Sequence, residues 1–203
     1  MKINELIKDV HENAVAHGWW EEERPIEEIF ALIHSELSEA LEEARAGRPN
    51  VWYECEYGTN TSCCSNLHGI CAYRDTASDV CRHRKEKPEG VCVELIDAAI
   101  RMMDFLGKLG YTVDEVIFEG ELNYLKGSRN MKSVASEICG LHVGLSYALL
   151  NFKNNKDSFK RPVAEFFSLL FFVIISLGED PETILIEKHE YNKTRPYKHG
   201  KLF

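Results

Sequence analysis

The stretch from about Glu89 to Lys108 limits what this chain can fold into more than any other. Cys92, Leu95, Ile96, Ala98, Ala99, Ile100, Met102, Met103, Phe105, Leu106 and the adjoining Leu109 cover most of the circumference of a helix drawn at about 100° per residue. The polar residues left are Glu94, Asp97, Arg101, Asp104 and Lys108, spaced i, i+3, i+7, i+10 and i+14 on a single narrow stripe. A helix this apolar must be largely covered by other elements. Its one polar stripe either lines a cavity or is the one exposed face of an outer helix.

Helical periodicity extends along most of the chain, and two-residue alternation is scarce. One helix is expected from about Ile3 to Ala16, stopped by His17-Gly18. Pro25 opens another, with Glu27 and Glu28 in its first turn, where negative charge suits the helix dipole. Its apolar stripe is Ile26, Ile29, Phe30, Ile33, Leu37, Ala40, Leu41 and Ala44, and Gly47 and Pro49 end it. Further helices are expected from Thr112 to about Gly127-Ser128, from Lys132 to Phe152, from Pro162 to Leu177 and from Asp180-Pro181 to Thr194. Pro196 then predicts an extended tail. The reading is an all-α fold, a four-helix-bundle core within one domain spanning residues 1–203. Residues 50–86 show no period and hold five of the seven cysteines, which marks a Cys-rich, irregular insertion between two helices.

A weak internal repeat supports an internal half-duplication. Leu109-Gly110 followed by Asp114, Glu115, Val116, Ile117 and Glu119 matches Leu177-Gly178 followed by Glu182, Thr183, Ile184, Leu185 and Glu187 at one constant offset. Carried backwards, the offset sets Asp97 against Glu165, Glu94 against Pro162 and Asp104 against Phe172. The acids of the first copy give way to apolar residues in the second. Two amphipathic helices can also resemble each other by chance.

Net charge disfavours some partners. At −9 the chain lacks the cationic face that a nucleic-acid polymer or an anionic membrane requires. The most apolar run, Phe166 to Leu177, falls short of the about 20 residues needed to span a bilayer. Seven cysteines, an odd number, without an export signal fit reduced thiols in a cytoplasmic protein. An anionic small molecule is still allowed, because a bound cation reverses the local sign.

Two acidic pairs at i, i+3 give the clearest chemical signal: Glu36 with Glu39, and Glu94 with Asp97. Three residues apart on a helix places each pair on one side. If the two helices pack together, four hard oxygen donors converge, the set Mg²⁺ prefers, often with phosphate oxygens completing the shell. The spacing alone is not specific, since Glu86/Glu89, Glu179/Glu182 and Glu187/Glu190 share it and read as solvated faces. Position sharpens it, because Glu36 borders an apolar stripe and Glu94 and Asp97 sit on the polar stripe of a buried helix. No Glu is followed three residues later by His, which argues against a di-iron bundle. Towards the C-terminus, Lys188, Asn192 and Arg195 align an ammonium, an amide and a guanidinium at i, i+4 and i+7, a set suited to phosphate. Basic residues at a helix end also simply complement its dipole.

Together, His17-Gly18-Trp19-Trp20, the run Ile33 to Ala40, Lys87 to Val91 with Val93 to Ala98, and Lys188 to Gly200 resemble the MazG-like all-α nucleoside triphosphate pyrophosphohydrolases and their dimeric-dUTPase relatives. The resemblance covers roughly residues 1–48, 87–127 and 177–203. No one stretch is specific; four in the same order are. The family's ExxE…ExxD signature lands on Glu36, Glu39, Glu94 and Asp97, and its Lys-x-x-x-Asn-x-x-Arg motif on Lys188, Asn192 and Arg195. The acidic pairs are farther apart than is usual there, because of the insertion. The resemblance implies Mg²⁺, or Mn²⁺, on the four carboxylates. It also implies hydrolysis of a nucleoside triphosphate to monophosphate and pyrophosphate, with Glu39, or Glu36, as the catalytic base. It places Asn13, His17, Trp19 and Trp20 about the base, although the Trp residues could equally pack the core and His17 could cap a helix. It further implies a homodimer, and the duplicated second half of this chain is expected to take the partner's share of the bundle.

Two other classes stay open: a nucleotide-binding or regulatory bundle without turnover, and a zinc-dependent interaction module. Cys55, Cys63, Cys64, Cys71 and Cys81, with His68 and His83 nearby, could hold structural Zn²⁺, but no tight Cys-x₂₋₄-Cys pair is present. Packed free thiols and disulfides are the other readings.

Overall fold

The computed structural model describes residues 3–55, 70–71, 84–111 and 130–200. Among these the chain is predominantly helical: α1 (Ile3–Ala16), α2 (Ile26–Arg45), α3 (Val91–Leu109), α4 (Val134–Asn154), α5 (Lys160–Ser176) and α6 (Pro181–Lys193). The all-α expectation holds. Local chemistry sets the helix ends. Ser133 accepts from the Ser136 N–H at 3.1 Å and Asp180 from the Thr183 N–H at 3.0 Å, each satisfying a donor that the first turn leaves open. Pro181 takes the first position of α6, where its missing N–H costs nothing. The helix expected over residues 112–128 lies outside the described residues.

Packing follows the apolar stripes. α2 contacts α3 and α4, α4 contacts α5, and α5 contacts α3, so these four helices close a ring of contacts. α1 and α6 add to it, both against α3. Ile33, Leu37 and Ala40 of α2 are fully buried against Leu95, Ile96, Ala99, Met102 and Met103 of the α3 core. Phe30, Phe105, Phe152 and Phe159 meet in edge-to-face or tilted pairs, with ring centroids 5.2–6.5 Å apart. At Gly107 α1 comes so close that a Cβ would stand 2.5 Å from the His11 Cβ. No single described helix is long and apolar enough to cross a membrane.

The insertion departs from expectation. It is not irregular throughout: β1 (Trp52–Cys55), β2 (Ile70–Cys71) and β3 (Arg84–Glu89) form an antiparallel sheet in the order β2-β1-β3. Strands this short carry too few residues for alternation to be visible. β3 reads Arg-Lys-Glu-Lys-Pro-Glu, which propensity argues against; Pro88 is tolerated because β3 is an edge strand. Glu89 therefore ends a strand and does not begin α3. Gly90 makes the turn at φ 114°, where a Cβ would lie 2.6 Å from the Asn50 carbonyl oxygen, so only glycine fits. Tyr53 is buried and its hydroxyl donates to Glu187, fastening the sheet to α6. The tail after Pro196 is also not extended: Tyr197–Gly200 forms a 3₁₀ turn, held by the Lys198 N–H donating to the His17 carbonyl at 3.0 Å.

Candidate functional site

The stripe on α3 lines a cavity. α3 is surrounded by α1, α2, α5 and α6, and its polar residues fill the space where α1, α2 and α6 meet it. Burial of Ile33, Leu37 and Ala40 fixes the rotation of α2, which turns Glu36 inward and leaves Glu39 at the mouth. The first turn of α3 supplies Glu94, as buried as Glu36 at 6% exposure, and then Asp97. One oxygen each from Glu36, Glu39 and Glu94 lies within 4.8 Å of the others. The two acidic pairs, remote in sequence, thus converge on one cleft of about 160 Å³.

Asp97 faces α6. Its carboxylate meets the Lys188 ammonium at 2.9 Å, and Lys188 is only 1% exposed. Glu36 is held by the Arg101 guanidinium at 2.6 Å, and Glu39 accepts from the Ser35 hydroxyl at 3.3 Å. Burial pushes the Glu94 carboxyl up to about 9, reinforced by the Asp97 charge and opposed by Lys188. Burial also raises Glu36; Arg101 works against this, while Asp97 and Glu39 add to it. For Lys188 burial disfavours the ammonium, but Asp97 and Glu94 outweigh it and hold its pKa above the ordinary value. More negative charge is crowded here than the cavity keeps ionised by itself. Glu36, Glu39 and Glu94 are the carboxylates that could hold a hard divalent cation, which would relieve that crowding.

Basic groups share the wall. Lys188, Arg195, Arg101, Lys87 and Arg24 all line the cleft, with Asn192, Asn13 and Trp19. Among the described residues the buried Asn192 side-chain oxygen has no hydrogen-bond partner, an acceptor that a bound molecule would satisfy. The Arg24 guanidinium lies 5.5 Å over the Trp19 ring. Of the residues expected about the base, Asn13 and Trp19 therefore lie in the wall.

His17 and Trp20 do not. The His17 ring nitrogens sit 2.8 Å from the Asn13 carbonyl and 2.9 Å from the Arg195 carbonyl, which ties the end of α1 to the C-terminal segment. The Trp20 indole N–H donates to Asp104 at 2.8 Å, its ring is edge-on to His11, and the Lys108 ammonium lies 5.0 Å from its centroid. Each holds a residue of the cleft wall, His17 at Arg195 and Trp20 at Asp104.

Arg101, Asp104, Lys87 and Arg24 were not among the expected site residues. For Arg101 and Asp104 the signal was present, since they continue the Glu94/Asp97 stripe at i+7 and i+10. Lys87 and Arg24 carried no such signal: they reach the cleft from a strand and from the turn before α2, outside any helical period. Of the cysteines offered as zinc ligands, Cys55 and Cys71 fall on β1 and β2, and Cys63, Cys64 and Cys81 lie outside the described residues.

No protein-family model matches the chain, and no curated protein or solved structure matches it.

Proposed function

We propose that the chain is a Mg²⁺-dependent nucleoside triphosphate pyrophosphohydrolase that converts a ribo- or deoxyribonucleoside triphosphate and water to the monophosphate and pyrophosphate. One observation carries the reading: Glu36, Glu39 and Glu94 share one cleft with Lys188, Asn192 and Arg195. Carboxylates clustered at a single cation's reach beside guanidinium and ammonium groups suit a polyphosphate brought in with its divalent cation. The motif resemblance to MazG-like enzymes names the same six residues, and Asp97 besides, in the same order.

Glu36, Glu39 and Glu94 are the residues that would hold the ion. Bound there, it supplies positive charge that neutralises the acids and draws electron density from phosphoryl oxygens. The chain's own groups do the rest. Asp97 is engaged by Lys188, which fixes both side chains before substrate arrives. Arg195, Lys87 and Arg101 offer N–H donors to the phosphate oxygens, and Arg195 supplies the planar fork that suits bidentate contact. Trp19 offers an aromatic face to the base, and Asn13 an amide to its edge. Glu39, the exposed member of the acidic cluster, takes a proton from the attacking water. The water oxygen bonds to the α-phosphorus, the α–β bridging bond breaks, and pyrophosphate leaves with the electron pair.

The test is a panel of NTPs and dNTPs with and without Mg²⁺, resolving NMP, NDP, phosphate and pyrophosphate. NMP with equimolar pyrophosphate is expected. Release of NDP and phosphate refutes attack at the α-phosphorus, and binding without turnover favours a regulatory bundle.

A further inference from the structure

Away from the cleft, α2 and α4 face each other across a pair of histidines. The Nδ1 atoms of His34 and His142 are 2.8 Å apart, and both rings are half-buried. Other histidines direct their ring nitrogens at oxygen: His11 at Asp104, His189 at Asp9, and His17 at the Asn13 and Arg195 carbonyls. His34 and His142 have only one another. Among the described residues neither ring meets a carboxylate or a carbonyl. Two neutral imidazoles placed so share one N–H, and each also has a lone pair to give. The separation is close to what one metal ion requires. Bonds of about 2.0–2.1 Å to a tetrahedral Zn²⁺ hold two nitrogen ligands about 3.3–3.4 Å apart. A small turn of each ring about χ2, a soft torsion in histidine, supplies the difference.

A third donor stands on the same helix. Cys139 lies three residues before His142, hence on the same side of α4. The two share the wall of a groove of about 520 Å³. Cys139 is a free, exposed thiol, so its sulfur has room to turn towards the pair. The rest of that wall is mostly apolar, with Leu41, Ile138 and Val143, and among the described residues no acid lines it. Donor chemistry then selects the ion. Imidazole and thiolate suit Zn²⁺, whereas Mg²⁺ takes carboxylate and water oxygens. The molecule keeps the two kinds of donor apart: oxygen in the cleft, nitrogen and sulfur where α2 meets α4. We infer that His34, His142 and Cys139 form a Zn²⁺ site, separate from the cleft and from the cysteines of the insertion, with water from the groove as the fourth ligand. On binding, the histidine that donates moves its proton to Nε2, and Cys139 gives its thiol proton to water. The ion then ties α2 to α4.

The test adds Zn²⁺ to the full, reduced chain and follows alkylation of Cys139 by mass spectrometry. Tryptic cleavage after Lys132 and Lys153 leaves Cys139 as the only cysteine of its peptide, so zinc held by the insertion does not enter the reading. Zn²⁺ should slow the reaction of Cys139 by about 10-fold or more, because a metal-bound thiolate is a poor nucleophile compared with a free one. His34→Gln and His142→Gln should each remove that protection while keeping the helical circular dichroism. Co²⁺ gives a second readout. The wild-type chain should show a thiolate-to-cobalt absorption band, and Cys139→Ala and His142→Gln should lose the same part of it. Cys139 reacting equally fast with and without Zn²⁺ overturns the inference. Protection that survives His142→Gln overturns it as well, since another set of ligands then holds the ion. If the histidine variants fail to fold, Cys139→Ala decides alone, its residue being exposed, and a Co²⁺ spectrum equal to that of wild type rejects the site.

Discussion

α3 and α5 are the two helices that the weak sequence repeat sets against each other. Both are long, apolar over a wide arc and packed in the same ring of helices, yet only α3 contributes to the cleft. Where α3 carries Glu94, Asp97 and Asp104, the corresponding positions of α5 are Pro162, Glu165 and Phe172. Pro162 and Phe172 are buried, and Glu165 is exposed and pairs with Arg161 one turn earlier at 3.0 Å. The apolar pattern therefore determines that both helices pack, and a few residues on one stripe determine what packing is used for. In α3 they enclose a charged space with α1, α2 and α6; in α5 two of the aligned positions are buried hydrocarbon and the third, Glu165, faces solvent.

That contrast can be tested from its largest expected effect downward. Glu39→Gln keeps shape and removes charge. It should lower NMP release by about 10²–10⁴-fold with the circular dichroism spectrum unchanged; turnover within a few-fold of wild type would show that Glu39 is not the base. Lys188→Met leaves Asp97 and Glu94 without their buried cation. Chemical denaturation should show a loss of about 3–5 kcal/mol, smaller when Mg²⁺ is present, and a stability equal to wild type would mean that the pair has no net role. Arg195→Ala removes charge-assisted phosphate contacts and should reduce kcat/KM by about 10- to 100-fold, the equivalent of roughly 1.5–3 kcal/mol. Unchanged kinetics would place Arg195 outside the substrate's reach.

The fourth effect is smaller and lies between the halves. His34 of α2 and His142 of α4 stack, with Nδ1 atoms 2.8 Å apart and rings 4° from parallel. Burial holds both below the ordinary histidine value, and for His34 the neighbouring His142 charge adds to it. The unfolded chain therefore binds these protons more readily than the folded one. The stability this pair contributes is present above the unfolded value of 6.5 and is lost as pH falls through it towards the lower folded values. The melting temperature should drop by a few degrees between neutral and mildly acidic pH, and His142→Gln should flatten that dependence. The smallest effect belongs to α5: Glu165→Ala should change stability by no more than about 0.5 kcal/mol and leave turnover unaltered. A marked loss of activity there would mean that the second half retains a site of its own.

Reading the residues alone recovered most of the helices, because an amphipathic stripe, a capping Ser133 or Asp180 and a stopping Gly110 act within a few residues of one another. β1 and β3 were missed for the converse reason. A four-residue strand and a charged strand containing Pro88 are stabilised by each other and by Tyr53 reaching Glu187, none of which is local. The cleft was legible in its acids and in Lys188, Asn192 and Arg195, whose spacings are helical. Arg101 and Asp104 were visible as members of a stripe, but not as members of a site. Trp20 illustrates the opposite error: an aromatic residue next to Trp19 reads as a base platform, yet its indole is committed to Asp104.

What the sequence determined by itself is therefore what one helix can encode: that Glu36 and Glu39, or Glu94 and Asp97, share a side, and that the stripe on α3 is polar while the rest of α3 must be buried. Whether that stripe faced water or a cavity was beyond it. The answer depended on how α1, α2 and α6 surround α3, which is set by the burial of apolar side chains from distant parts of the chain. Only that packing brought Glu36 and Glu94 together in one cleft, set the buried Lys188 against Asp97, and left the far side of α4 exposed. Helical spacing is fixed by backbone hydrogen bonds between near neighbours, whereas the meeting of two helices is fixed by the summed burial of many side chains.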